Sequence, residues 1–559
     1  MTQFWHLIKE KFDYNRAVNN ILKRTKEFIF AQQTSIVAST LILAWMMILS
    51  RLAGFVRYRI LVGAFTKEEL DIFFAAFRIP DLVFEILING ALSTTFIPYF
   101  IEYQKKSKEQ GAIISSIINI VSLTLFVCIL VLILFLPFLM PIITPGFSED
   151  KIRLIVNYSR LLLIGQLPFL VLGNFLTGIS QAKKTFILPA IAPIVYNIAI
   201  IVSTIVFAHS LYLLAPIVGV IIGAVLFFII QLPTLRAVDF HYHLIVTHIR
   251  ESVRFFKTAI PRIMTIIVAQ IDATVDLTLA TLLGSGSYTI FYLAQHLQLL
   301  PVSIIGMSFG QASLPYLTDI YQDGKITEFK KIIITSLLNI LFLTVPAAAF
   351  FIIARTPTVR LFYGGEKFDW EGTILTAQAL SYFSLSLPFH SVYYFLTRCY
   401  YAVFDTKTPF YISLVAIALN AALSIWFTIG LHLPVWSLAL SFSISMSLHV
   451  TFLFIMLYKK IKGLDIWLFF QESLKIVITT FNASVLTYFL IKLLDGLIFD
   501  TTRTINVFLL LVVAGAFYLS TYLFLSWIFN VSEMYIITKM LIKTREYQQK
   551  IVEIYKGVE

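Results

Sequence analysis

The chain has 559 residues, of which 58% are hydrophobic and 13% charged, and its mean hydropathy is +0.86. A soluble domain carries about 45–50% apolar and about 25% charged residues, so a water-soluble enzyme or binding module is excluded and a lipid-embedded chain is expected. The net charge of +12 would suggest nucleic acid in a soluble protein; here the basic residues gather between apolar runs, the positive-inside pattern, and no nucleic-acid partner is expected.

Residues 1–33 interleave Phe4, Trp5, Leu7, Ile8 and Phe12 with Lys9, Lys11 and Arg16. They read as a basic amphipathic segment on the anionic inner leaflet, and lack the continuous apolar run and cleavage site of a signal peptide. A spanning helix needs about 20 apolar residues, and fourteen candidates follow: 34–63, 70–101, 112–141, 152–181, 187–208, 211–234, 253–283, 287–317, 331–354, 374–402, 410–430, 433–458, 474–494 and 504–529. Pro80 and Pro301 mark the second and eighth as spans that can break. Cys128 and Cys399 fall inside apolar runs with no metal-spaced partners, and read as packed thiols.

Loop charge orients the spans. Alternate loops hold Lys105, Lys106 and Lys108; Lys183 and Lys184; Arg236 and Arg250; Lys325, Lys330 and Lys331; Lys407; and Lys459, Lys460 and Lys462. The intervening loops hold few. Both termini are therefore expected in the cytoplasm of a bacterial plasma (inner) membrane protein.

The sequence contains a duplication. Leu167-Pro168-Phe169, Phe175-Leu176-Thr177, Ala182 and Pro189 recur as Leu387-Pro388-Phe389, Phe395-Leu396-Thr397, Ala402 and Pro409, at an offset of 220. Pro98-Tyr99 with Glu102 recurs as Pro315-Tyr316 with Asp319. Six spans return the chain to its starting face, so the repeat is parallel, as in many secondary transporters. The expected fold is an all-α polytopic membrane protein: a cytoplasmic segment 1–33, an N-lobe 34–234, a C-lobe 253–458, two accessory helices within 474–529 and a cytoplasmic tail 530–559.

Charges at the bilayer centre cost at least about 2.5–3.5 kcal/mol, so they are expected to face a wet cavity or a partner. The first span holds Arg51 and Arg57, the second Asp71, Arg78, Asp81, Glu85 and Asn89, the seventh Arg262, Asp272 and Asp276, the eighth His296 and the tenth Arg398. Asp71, Arg78 and Glu85 are seven apart and share a helix stripe. The economical reading is a cavity between the halves lined by Arg51, Arg57, Asp71, Arg78, Glu85, Asn89, Arg262, His296 and Arg398. Arginine forks suit phosphate, so the expected substrate is anionic, a lipid whose head crosses while its tail stays outside. The plainer alternatives stay open: Arg51 and Arg57 as ion-pair partners of Asp71 and Glu85, Arg78 snorkelling to an interface, and Asp272 and His296 as packing residues. Asp276, deeper, is a candidate for a cation or a proton. Glu366 and Asp369 read as ordinary exterior-loop residues.

Ser50-Arg51-Leu52-Ala53-Gly54-Phe55-Val56-Arg57 resembles the first-helix motif of the MurJ/MviN lipid II flippases, and the stretch from Asp71 to Phe100 resembles their second helix. TPGF at 144–147, AKKTFILPAIAP at 182–193 and FDTKTP at 404–409 also resemble that family, over about residues 34–460. The resemblance implies the multidrug/oligosaccharidyl-lipid/polysaccharide exporter fold, two six-helix lobes around a basic cavity with two extra helices forming a lipid-facing groove. It implies movement of undecaprenyl-pyrophosphate-linked disaccharide pentapeptide to the outer leaflet by alternating access. Arg51, Arg57 and Asp71 lie at positions functional in the family, and Asp276 and Asn420 resemble members of a sodium site in some relatives, so a coupling cation, Na+ or H+, is expected. The chain departs from the family pattern at Tyr58, where Asp is common, at Phe84-Glu85, where an Arg–Arg pair is common, at Asn89 in place of Glu and at His296 in place of Arg. These departures bear on the headgroup, with Arg78, Arg262 and Arg398 as candidate compensating charges.

Membrane lipids are the other expected partners. An exporter of another polyprenyl-diphosphate glycan, of O-antigen or capsule type, is the alternative. A membrane transferase would need a catalytic loop domain, and no loop is long enough; GxSxG, HExxH and Walker patterns are not found in register. The internal charges and the repeat argue against a channel or scaffold. With no ATP motif, drive must come from a gradient, product consumption or the membrane potential, worth about 2.3 kcal/mol per charge per 100 mV.

Overall fold

The structure is a computed structural model and describes residues 36–106, 110–183, 185–237, 240–501 and 503–534. The amphipathic segment 1–33, Lys108, Lys184 and the tail beyond 534 lie outside the described residues, as do the side chains of Lys105, Lys106, Arg236, Asn89 and Arg262. Every regular element among the described residues is helical.

The first half runs α1 (Ile36–Ala64), then α2 (Lys67–Glu85) continued by a π-helical stretch (Ile86–Phe96) and α3 (Ile97–Lys106). It goes on through α4 (Gln110–Ile143), α5 (Glu149–Gly165), α6 (Leu167–Ala182), α7 (Ile187–Leu211) and α8 (Leu214–Ile229). After the short α9 (Pro233–Ala237), the second half begins with α10 (Ile249–Leu282) and α11 (Ser287–Pro301), continued by a π-helical stretch (Val302–Met307) and α12 (Ser308–Gln322). Then come α13 (Ile326–Ile353), α14 (Arg355–Tyr363), α15 (Trp370–Ala402), α16 (Lys407–Ile425) with a π-helical end (Trp426–Gly430), and α17 (Trp436–Ile461). α18 (Ile466–Leu497) and α19 (Thr504–Ile528) follow both halves.

Among the described residues, ten helices are long and apolar enough to cross a membrane. α1, the α2–α3 rod, α10 and α15 carry Arg51 and Arg57, the Asp71–Glu85 charges, Asp272 and Asp276, and Arg398.

The duplication is visible in backbone detail. Thr185 N–H donates to Ser180 O and Asp405 N–H to Tyr400 O, both at 2.9 Å, closing the same turn at an offset of 220. Lys183→Ile179 and Val403→Cys399 repeat at 3.1 and 3.3 Å. The second span of each half also contains a π-helical stretch.

Pro80 does not break the second span; the helix runs straight through it, and the irregular stretch begins later, at Ile86. Proline removes the N–H that would bond the carbonyl four residues earlier, and within a membrane that carbonyl needs another donor. Ser159 Oγ donates to the freed Ala76 O at 2.8 Å. Pro346 frees Phe342 O in the same way, and the Tyr522 hydroxyl of α19 donates to it at 2.9 Å. Four residues earlier, Tyr518 donates to Pro346 O at 3.0 Å, so two tyrosines one turn apart dock α19 on α13. Pro301, by contrast, stands directly before its π-helical stretch.

Transmembrane helices lack a hydrophobic drive to associate and rely on close approach at small residues. A Cβ on Gly219 would lie 2.8 Å from Ile200 Cα, and one on Gly223 2.9 Å from Tyr196 O, so this pair lets α8 press on α7. Gly306 and Gly310 do the same against α15, at 2.6 Å from Ser391 Cα and 2.9 Å from Tyr394 O. Cys399 is buried in the second-half core beside Phe395 and Tyr400, as expected of a packed thiol. Cys128 differs: its side chain is exposed, because that stretch of α4 turns an apolar face outward, with Phe126, Val127 and Val131.

The described chain separates into two compact units. One comprises residues up to Phe65 together with Ile72–Ile271, the other Thr66–Asp71 together with residues from Asp272 on.

Candidate functional site

In the first unit the charged residues of α1 and α2 meet polar groups of later helices. The Arg57 guanidinium lies over the Tyr58 ring, 4.6 Å from its centroid, a cation–π contact. Asp81 is near enough to Arg78, Glu85 and Arg57 to feel each charge. Tyr196 of α7 lies in the same field, close to Arg57, Asp81 and Tyr58, and accepts from Gln166 Nε2 at 3.3 Å. Arg78 does not snorkel: it is 9% exposed and donates to Gln270 O at 2.6 Å and Gln270 Oε1 at 3.1 Å. Arg51 is exposed on α1, and Glu85 is half-buried at the end of α2. The cluster places the Arg57 guanidinium within a helical bundle, and a guanidinium is a group that holds anions through paired donors.

In the second unit Asp71 is fully buried, and it caps the N-terminus of α11. Its Oδ2 accepts from Gly286 N–H at 2.6 Å, its Oδ1 from Thr289 N–H at 2.9 Å, and the Thr289 hydroxyl lies 2.8 Å from Oδ1. A carboxylate is favoured there by both the unsatisfied N–H groups and the helix dipole. One turn earlier, Lys67 Nζ reaches Asp369 Oδ2 at 2.8 Å and Glu371 Oε2 at 3.0 Å. Gly286 has φ of +85°, and a Cβ there would strike the Lys67 stem at 2.6 Å, so the turn requires glycine. Asp369 is thus more than an exterior-loop residue: it also caps α15 through Gly372 N–H at 2.9 Å. Burial pushes its carboxyl up, but the Lys67 ammonium and the Gly372 N–H outweigh burial and hold it below the usual carboxylate range.

The acids of α10 meet α16 and α17 in the same unit. Asn420 Nδ2 donates to Asp272 Oδ1 and to Asp276 Oδ2, both at 3.0 Å. Ser424 Oγ donates to Asp276 Oδ1 at 2.9 Å and lies 2.6 Å from Ser441 Oγ. Asp276 and Asn420 are each 2% exposed, and Asn420 Oδ1 is buried with no hydrogen-bond partner. Two carboxylates and an orphaned amide oxygen are hard oxygen donors, a set that fits a hard cation.

His296 and Arg398 each contact an aromatic neighbour on their own helix. His296 Nδ1 lies 3.1 Å from Tyr292 O, and its ring packs on Tyr292 at 4.2 Å. Arg398 sits 5.6 Å from the Tyr401 ring, with Nε buried and unpartnered. Lys67, Gln166, Tyr196, Thr289, Ser424 and Ser441 were not singled out by sequence. All but Lys67 are uncharged, and inside apolar runs nothing distinguishes them. Lys67 stands at a span end, where lysine is ordinary. A second layer sets Gln298, a polar group of the eighth span, against His390 at 3.3 Å and Ser413 against His449 at 3.3 Å.

A family model described as "Lipid II flippase MurJ" matches residues 61–509. The chain is 29% identical to a probable lipid II flippase MurJ of Rickettsia prowazekii, over 74% of this chain and 84% of that protein. It is 27% identical to a probable lipid II flippase MurJ of Borreliella burgdorferi, over 82% and 90%. Among solved structures, "Lipid II flippase MurJ, inward closed conformation" superposes with a TM-score of 0.73 at 26% identity, covering 88% of this chain and 98% of that one. An inward-facing multidrug transporter of the MATE family and MOP superfamily superposes with a TM-score of 0.64 at 13% identity, a likeness of fold.

Proposed function

The chain belongs to the MurJ lipid II flippase family, and on that premise we propose that it carries lipid II from the inner to the outer leaflet of a bacterial plasma membrane by alternating access. The observation that carries this reading is the cluster around Arg57, where a guanidinium lies over the Tyr58 ring and within electrostatic reach of Asp81 and Tyr196 in a membrane-spanning bundle. A diphosphate needs forked cationic donors; Arg57 supplies one in the cluster, with Arg51 on the same helix as a second. Arg78 and Glu85 of the same unit would extend the proposed path, Arg78 by holding Gln270. The chain acts as a transporter, with both termini in the cytoplasm, as loop charge favours.

Asp272, Asp276 and Asn420 Oδ1 would hold a coupling cation, sodium or a proton, whose charge offsets the two buried carboxylates. Their oxygen set supports this role.

The test is rescue of a bacterium depleted of its own lipid II flippase, with membrane levels checked by blot. The reading expects rescue by this chain. Failure despite good insertion would favour another polyprenyl-diphosphate glycan as cargo, with Phe84, Asn89 and His296 the first residues to revert.

A further inference from the structure

A second polar site lies in the second unit, away from the charges considered so far. The start of α13, the turn between α17 and α18, and the residues after α19 enclose a cavity of about 390 Å³. That volume is within the range of about 300–1,000 Å³ common for ligand pockets. Its polar lining has both signs: Lys330 and Lys331 on α13, Glu472 on α18 and Glu533 after α19. Ile334, Leu338 and Leu468 supply apolar wall.

The groups divide into engaged and available. Asp465 is spent on capping α18 through Leu468 N–H at 3.0 Å. Glu472 accepts from Lys475 at 2.7 Å and from Ser532 N–H at 3.2 Å. Glu533 is only 3% exposed, and its Oε2 is buried with no hydrogen-bond partner. Burial, then the neighbouring Glu472 carboxylate, pushes the Glu533 carboxyl above its ordinary range. Neither Lys330 nor Lys331 has an ion-pair partner among the described residues. Gly463, with φ of +79°, brings the turn close over Lys330, whose Nζ would lie 3.3 Å from a Cβ there. A buried carboxylate oxygen with no hydrogen-bond partner, within the field of Lys475, and two ammonium groups with no ion-pair partner among the described residues thus share one cavity.

The ligand these groups fit carries an anion and a donating cation a few bonds apart. We propose that the cavity binds a phosphoethanolamine group, the phosphate on Lys330 and Lys331 and the ammonium on Glu533, presented by an aminophospholipid of the adjoining leaflet. Trp467 and Phe470 of α18 are 69% and 59% exposed beside it, an aromatic edge suited to the membrane interface and to the start of acyl chains. Lysines at that depth draw lipid phosphate.

The experiment uses the full chain purified from membranes containing equal phosphatidylethanolamine and phosphatidylglycerol, with co-purified lipid counted by mass spectrometry. Wild type is expected to enrich phosphatidylethanolamine at least about threefold. Glu533→Gln, near-isosteric, and Lys331→Ala, at an exposed position, are each expected to return the ratio toward bulk. An unenriched wild type, or enrichment surviving both substitutions, overturns the proposal. Free phosphoethanolamine added at millimolar concentration should leave the bound lipid in place; displacement by it would show a soluble ligand and overturn the lipid source. The readout is independent of lipid II transport, so a failed flippase reading leaves this result standing.

Discussion

The Thr289 backbone N–H donates to Asp71 Oδ1 at 2.9 Å, joining residues 218 apart in sequence. With Gly286 N–H on Oδ2, this fixes the first turn of α2 to the N-terminus of α11. Asp71→Ala leaves two buried N–H groups without an acceptor, at about 1–3 kcal/mol. Asp71→Asn keeps one oxygen and is expected to fall between. Thermal melting of the purified protein in one detergent checks this; an unchanged Asp71→Ala transition would deny the cap a structural role.

Proline and tyrosine are coupled between α13 and α19. Tyr522→Phe orphans Phe342 O and is expected to destabilise by about 1–3 kcal/mol. Pro346→Ala restores an N–H four residues after Phe342, so the double variant should recover much of that loss. The double-mutant cycle reads the coupling directly; additive effects would contradict it.

Asp405 titrates outside the spans. Burial raises its carboxyl, but hydrogen bonds from Lys460 and from Thr408 bring it down to about 2. An unperturbed aspartate titrates near about 3.9. A depressed carboxyl stabilises the fold fully above the unfolded value and loses that contribution as pH falls through the folded one. The α15–α16 turn should therefore hold from neutral pH to about 4 and loosen toward about 2, and Lys460→Ala should move the loosening upward. Hydrogen exchange of residues 403–409 against pH measures it, and an unmoved midpoint in Lys460→Ala would count against the ion pair.

Much of the fold was legible in sequence because a span is a long local signal: apolar length, loop charge and the offset of 220 each survive without tertiary information. The π-helical stretches were not legible, since Pro80 signals a break that Ser159, distant in sequence, repairs. Site residues were visible where a charge sits in lipid. Arg57, Asp81 and Asp276 stand out for that reason, while Tyr196, Ser424 and Thr289 become partners only through folding. Asp71 was legible as important but not in role: its charge marks a cap on a helix far along the chain.

Sodium, if it is the coupling ion, should bind the folded state through Asp276 and Asn420. A ligand at a hundred times its dissociation constant adds about 2.7 kcal/mol of stability. Sodium, but not potassium, should raise the melting temperature of wild type and of Arg57→Ala, and leave Asp276→Asn unmoved. A sodium shift retained in Asp276→Asn would place the ion elsewhere. No shift in wild type would leave the proton as the coupling ion.

The central claim is that lipid II crosses past Arg57. Purified chain in proteoliposomes, with lipid II labelled on its peptide and a membrane potential imposed, reports flipping as loss of inner-leaflet label. The expected result is transport by wild type that falls at least tenfold in Arg57→Ala with folding intact. Equal transport by the two would contradict the role of Arg57, and no transport by wild type above empty vesicles would contradict lipid II as the cargo.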